Sequence, residues 1–221
     1  MAKASRQYVC QSCGALSNKW AGQCDACEAW NTLVEEASQT TTPKGLSAGK
    51  GRKIDFVPLN GTTPESPRQK TGIAEFDRVL GGGLVPGSAI LIGGDPGIGK
   101  STLLLQVMAS LANSGLSVAY VSGEEAVEQV RMRARRLGLE KSSVDLAAAT
   151  SVRDILSSLE GRDAPKCVVI DSIQTMFVDN LESAPGSVGQ VRASAQEFIR
   201  MAKHRGISVM LVGHVTKDGQ I

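Results

Sequence analysis

The sequence predicts an α/β protein: a mainly parallel sheet covered by helices on both faces, preceded by a small four-cysteine unit. Three observations carry this expectation. From about Lys70 onward, short β-branched runs alternate with longer amphipathic ones, the texture of βαβ units. One strand-to-helix joint reads GGDPGIGKST, a glycine-rich phosphate loop. Four of the five cysteines fall within residues 10–27, in two C-x-x-C pairs.

The strands are expected at 88–94, 117–123, 144–150, 166–172 and 207–215, and the helices at 100–113, 125–137, 151–160 and 187–205. These strands are too apolar for a sheet with one wet face, so helices should cover both. Helix 151–160 opens on Ser151, a capping residue, with Asp154 three positions on. The domains follow as 1–36, a cysteine-rich unit; 37–68, a linker rich in Thr, Ser, Pro, Gly and Lys with some order around Ile54–Leu59; and 69–221, the α/β core. No internal repeat is visible.

Composition narrows the function. A chain of 221 residues holds one substantial domain and a small one. With 42% apolar and 21% charged residues it reads as an ordinary soluble protein. Aromatics at 4% argue against a surface built of many stacking rings, and a net charge of +2 confines any nucleic-acid role to local basic patches. No apolar run reaches the roughly 18 residues of a membrane span, and MAKASRQYVC lacks the apolar core of a signal peptide. The expected location is the cytoplasm, with no membrane partner.

The run Gly94-Asp95-Pro96-Gly97-Ile98-Gly99-Lys100-Ser101 fits G-x-x-x-x-G-K-[ST], with Thr102 following. A strand ends at Gly94 and a helix begins at Lys100, which is the context the chemistry needs. Backbone N–H groups of the loop and the helix N-terminus face the phosphates, and glycines let the backbone approach closely. Lys100 is expected on the β- and γ-phosphates and Ser101 on Mg²⁺. Asp171 ends the apolar strand CVVID and is the candidate second magnesium residue, through water. YVSGEE ends another strand and offers Glu124 as the acid that orients water, with Glu125 starting the next helix; both could instead be helix-start acids. His214 ends the last strand, where it could sense the γ-phosphate or be structural.

Cys10-x-x-Cys13 and Cys24-x-x-Cys27 can place four thiolates around Zn²⁺. A unit this small has almost no core, so the metal would supply its folding energy. A redox dithiol pair is the weaker alternative. The grouping fits a reducing compartment better than a secreted disulfide scaffold, and Cys167 reads as a buried apolar residue. Trp20 and Trp30 are expected to pack over the knuckles, with a surface for DNA or a partner as the alternative.

Taken in order, YVCQSCGALSNKWAGQCDACEAWNT, TGIAEFDRVLGGGLVPGS, GGDPGIGKST, YVSGEE, VVIDSIQT and GHVTKDG resemble the bacterial RadA (Sms) DNA-repair ATPases, relatives of RecA. The resemblance covers nearly the whole chain apart from the linker. It implies a RecA-like P-loop ATPase core preceded by a zinc ribbon, assembled in the full-length protein as a homo-oligomeric ring, a hexamer, with ATP between subunits. It implies single-stranded DNA in the ring and branch migration of branched recombination intermediates. It implies a contact with RecA through or near the ribbon, and a place in the response to DNA damage and stress. By position, Lys100 and Ser101 match the cradle residues, Asp171 the Walker-B acid, Glu124 the catalytic glutamate and His214 the γ-phosphate sensor. The family continues past the sensor strand with more of the core, a Lys-Asn-Arg-Phe-Gly motif and a Lon-protease-like domain. The sequence to Ile221 is therefore expected to be the family's N-terminal part.

The arginines of RMRARR (131–136) could meet DNA phosphates, with Arg131 and Arg135 on one face, but pairing with Glu124, Glu125 and Glu128 on a solvated helix is the stronger expectation. The loops after Asp171 and after His214 are better candidates for a DNA-facing lining. Two functions from different classes compete: a DNA-stimulated ATPase motor, and a nucleotide-gated adaptor for DNA or RecA with little hydrolysis. A small-molecule kinase is a weak third.

Overall fold

The computed structural model describes residues 7–10, 16–17, 19–36, 55–60 and 67–214. Cys13, most of the expected linker and the loop after His214 lie outside the described residues. The chain divides into two compact units, Met1–Thr62 and Thr63–Ile221.

The first unit holds an antiparallel sheet of β1 (Gln7–Cys10), β2 (Leu16–Ser17) and β3 (Leu33–Glu36), in the order β2-β1-β3. Among the described residues its buried ones are Cys10, Cys24 and Leu33, with Tyr8 and Ala21 against them. Trp20 and Trp30 are 62% and 70% exposed, so the expected packing over the knuckles is corrected: both rings face outward. Residues 55–60 form no regular element, and Phe56, Val57 and Leu59 are exposed.

In the second unit, α1 (Ala74–Val79) precedes β4 (Ala89–Gly94), α2 (Lys100–Asn113), β5 (Val118–Ser122), α3 (Val127–Arg136), β6 (Val144–Ala148), α4 (Val152–Ser158), β7 (Cys167–Asp171), α5 (Val188–Arg205) and β8 (Ser208–His214). The five expected strands and four expected helices all appear, each end within two residues of its expected place. The strands pair in the order β4-β8-β7-β5-β6, all parallel. Apolar residues cover both faces. Leu104, Met108 and Leu111 of α2 and Val130 of α3 pack on one, against Tyr120, Val169, Met210 and Val212. Val152 and Ile155 of α4 and Phe198 and Ala202 of α5 pack on the other, against Val121, Val168, Ile170 and Leu211. All five residues of β7 are buried, which explains the absence of alternation in CVVID.

Local chemistry sets the element ends. The Ser151 hydroxyl accepts from the Asp154 N–H (3.3 Å), the expected cap of α4, and the Ser187 hydroxyl caps α5 in the same way through Gln190 (3.4 Å). Helix α5 stops at Gly206, a left-handed cap at φ 68°. Helix α1 has no capping side chain at its start. Asp77, inside the helix, instead ties down the segment that leads into it: one oxygen accepts from the Thr71 N–H and hydroxyl (both 2.8 Å), the other from the Gly72 N–H (3.3 Å).

Candidate active site

The functional side chains gather where β4, β8, β7 and β5 end. The register makes this possible. Gly94 lies opposite His214, and Ser122 lies opposite Asp171. The strand between the loop strand and the Asp171 strand is β8, so His214 stands between the phosphate loop and the acid.

Beyond Gly94 the chain turns through Asp95–Gly99 into α2. Gly97 and Gly99 take φ of +81° and +98°, values that a side chain disfavours, and Gly99 is the residue at which α2 begins. A Cβ on either would meet nothing within 4 Å, so these glycines are required by backbone shape. Asp95 to Gly99 are exposed, and Lys100 is buried beneath them. Its ammonium donates to the Gly94 and Asp95 carbonyls (2.7 and 2.8 Å) and stands 3.4 Å from His214 Nδ1. An ammonium has only donors, so Nδ1 accepts and the ring proton sits on Nε2. That nitrogen is 3.1 Å from Glu124 Oε1, which also accepts from the Ser172 hydroxyl. Lys100, His214, Glu124 and Ser172 thus form one polar chain across the strand ends. Burial raises the Glu124 carboxyl's affinity for a proton. The hydrogen bonds from Ser172 and His214 and the charge of Lys100 outweigh it and hold the group below the usual glutamate range.

Asp171 is 7% exposed. Its Oδ2 accepts from the hydroxyl of Tyr120, which is 1% exposed on β5 and also interacts with the Ser101 hydroxyl. Burial first, then the charge of Asp171, push the Tyr120 phenol far above its ordinary value, so it stays a donor. A buried carboxylate and a hydroxyl, both in reach of one phenol, are an oxygen donor set suited to a hard cation such as Mg²⁺. The peptide bond between Asp171 and Ser172 is cis.

Glu125 departs from expectation. Helix α3 begins at Val127, after Ala126, so Glu125 is not a helix-start acid. Its N–H donates to Ser122 Oγ (2.9 Å) and its carboxylate holds Arg133. Of the RMRARR arginines, Arg133 is largely buried in that pair and Arg131 approaches Glu128 (3.9 Å). Glu124 takes no arginine partner among the described residues, since His214 and Ser172 hold it. The long loop after Asp171 is anchored: the amide of the buried Gln190 accepts from the Val178 N–H (2.9 Å) and donates to the Leu181 and Ser183 carbonyls (3.1 and 3.0 Å). At its start, Gln174 Nε2 donates to the His214 carbonyl (3.1 Å).

In the first unit, the sulfurs of Cys10, Cys24 and Cys27 lie within 4.8 Å of one another, and Cys10 and Cys27 are 3.6 Å apart. Tetrahedral zinc with Zn–S of about 2.3 Å sets its sulfurs roughly 3.8 Å apart, so the spacing fits. Thr32 Oγ1 is 3.2 Å from Cys10 Sγ and suits a partner behind that ligand.

Comparison with known proteins agrees with this geometry. A family model described as the AAA domain matches residues 65–220. The chain belongs to the AAA domain family. A second model, the rubredoxin metal binding domain, matches residues 8–35, the ribbon. Across its full length the chain is 55% identical to a protein described as DNA repair protein RadA from Brucella abortus and 49% identical to one from Bacillus subtilis, covering 49% of each. The chain therefore spans about half the length of these curated relatives. Among solved structures, one described as an ATPase domain aligns with a TM-score of 0.57 at 17% identity, over 72% of this chain and 67% of that one. That likeness shows the fold of the core, which with the AAA match is a RecA-like P-loop ATPase core; the preceding ribbon is the segment matched by the second model. Among the described residues, no helix is long and apolar enough to cross a membrane.

Proposed function

We propose that this chain is the ribbon and motor core of a RadA-type DNA-repair ATPase that hydrolyses ATP when stimulated by single-stranded DNA. The observation that carries the proposal is the polar chain at the strand ends, in which Lys100, His214 and Glu124 meet beside a buried Asp171.

Residues 94–102 would surround the phosphates, with Lys100 turning from the Gly94 and Asp95 carbonyls toward the β- and γ-phosphate oxygens. Ser101 and Asp171 would hold magnesium, which when bound neutralises charge on the phosphate oxygens. Glu124, kept ionised, would accept hydrogen bonds from the attacking water through the oxygen not engaged by Ser172 and His214. His214 touches both Lys100 and Glu124, so a change of partner at Lys100 would be felt at the water-orienting acid. Cys10, Cys13, Cys24 and Cys27 would hold zinc.

The RadA relatives support a role in DNA repair; the wider role proposed from the sequence resemblance is a cytoplasmic ring, a hexamer of the full-length protein, that acts on branched recombination intermediates together with RecA. The test is ATP hydrolysis with and without single-stranded DNA, for wild type, Lys100→Ala and Glu124→Gln. DNA-stimulated turnover that both substitutions abolish is expected. Nucleotide binding without turnover, with DNA still retained by Glu124→Gln, would instead make the chain a nucleotide-gated adaptor.

A further inference from the structure

One buried polar group in the site has no role in the reaction just described. Tyr120 lies in the core between α2 and the sheet, among Leu104, Met108, Val169 and Met210. A phenylalanine would fill the same space. The hydroxyl is therefore not there for packing, and a buried hydroxyl costs free energy unless it is bonded. Its partner is the carboxylate of Asp171.

The strand register explains how the two meet. Tyr120 pairs with Val169, two residues before Asp171, on the neighbouring parallel strand. The phenol spans that diagonal and ends beneath the carboxylate. Ser101, in the first turn of α2, approaches the same hydroxyl. With Oδ2 of Asp171 taken, Oδ1 is the oxygen left for a cation. We propose that Tyr120 is the positioning residue of the magnesium pair: its hydroxyl fixes the rotamer of Asp171 and sets that carboxylate against Ser101. The inference rests on the assignment of Ser101 and Asp171 to magnesium made above.

The test compares Tyr120→Phe with wild type by the affinity for a fluorescent N-methylanthraniloyl ATP analogue, once in magnesium-free buffer without chelator and once in excess Mg²⁺. The ratio of the two dissociation constants is the readout. It is measured on a single sample, so the fraction of folded protein cancels. In Tyr120→Phe the ratio should fall about tenfold or more, the size of one lost hydrogen bond to a charged group, while the magnesium-free value stays within about twofold. In the Asp171→Asn background, Tyr120→Phe should produce no further fall. A ratio equal to wild type, or constants that weaken together in both buffers, would overturn the positioning role. Wild-type binding that ignores magnesium would overturn the magnesium assignment itself, and the inference with it.

Discussion

Glycine at position 123 is expected to be indispensable for a steric reason. Gly123 sits between β5 and Glu124. A Cβ built there would stand 2.0 Å from Thr175 Oγ1 and 2.8 Å from Met176 Cε. The first distance falls short of the 3.4 Å at which ordinary contact begins by about 1.4 Å. Neither neighbour yields easily. The Thr175 hydroxyl donates to the Ser172 carbonyl at 2.8 Å, and Met176 is fully buried. In Gly123→Ala the strain is relieved only by pushing residues 173–176 away or by lifting Glu124 out of place. Overpacking of this kind costs about 1–3 kcal/mol. A displacement near 1 Å at the acid that orients water costs on the order of a hundredfold in turnover. The assay is ATP turnover and nucleotide affinity for Gly123→Ala and for Gly123→Ala/Thr175→Ala. The single variant should lose turnover with affinity nearly intact. The double variant, which removes the hydroxyl at 2.0 Å but leaves Met176 Cε at 2.8 Å, should recover part of the loss. Wild-type turnover in the single variant, or a double variant no better than the single, would refute the steric reading.

Other expectations follow from the same geometry. Glu124 must be ionised to act, and its lowered proton affinity delays the loss of activity as pH falls. Ser172→Ala removes one of the bonds that lower it, so the acid limb of the pH–rate profile should move to higher pH; an unmoved limb would show that Ser172 does not tune Glu124. Burial pushes the Cys167 thiol up to about 12, so peptide mapping should find it unmodified by iodoacetamide in the native protein and modified only in step with urea unfolding. A strong chelator should open the ribbon cysteines Cys10, Cys24 and Cys27 to a thiol reagent while leaving the thermal midpoint of the core unchanged, and a midpoint that falls with chelation would contradict independent stabilisation of the ribbon by metal.

Much of this molecule is legible from residue order alone, and the parts that are not share a cause. Strands such as CVVID and helices such as α2 declare themselves because burial on both faces leaves an apolar run and amphipathic packing leaves a stripe. The loop from Gly94 to Thr102 is visible because its glycines serve backbone shape. Helix α1 escapes a sequence reading because it spans six residues and buries none of them, too little to leave a periodic pattern. Its specification lies in Asp77 reaching back to Thr71, a signal that reads as an ordinary surface acid. The two tryptophans read as inward-facing because indoles usually are, but both are largely exposed. Glu125 reads as a helix-start acid because it precedes an amphipathic stretch, yet the helix starts later and the acid serves Arg133. Tyr120 and Ser172 carry no signal in the sequence, because their partners are set by strand pairing, which residue order does not reveal.

Strand pairing also holds the site together. Tyr120 on β5 donates to Asp171 on β7, and Ser172, the residue after β7, donates to Glu124, beyond the end of β5. The two bonds run in opposite directions across one pair of strand ends. They tie the acid proposed for magnesium to the acid proposed for water as a single unit. Both depend on Ser122 standing opposite Asp171, and a slip of one residue would send every side chain of a strand to the other face. What prevents the slip is the apolar set that fits each face, with Val168 and Ile170 toward α4 and α5, and Cys167 and Val169 toward α2. The residues that fill the core therefore also set the distances in the site. This accounts for a polar site built on the ends of strands that are themselves almost wholly buried.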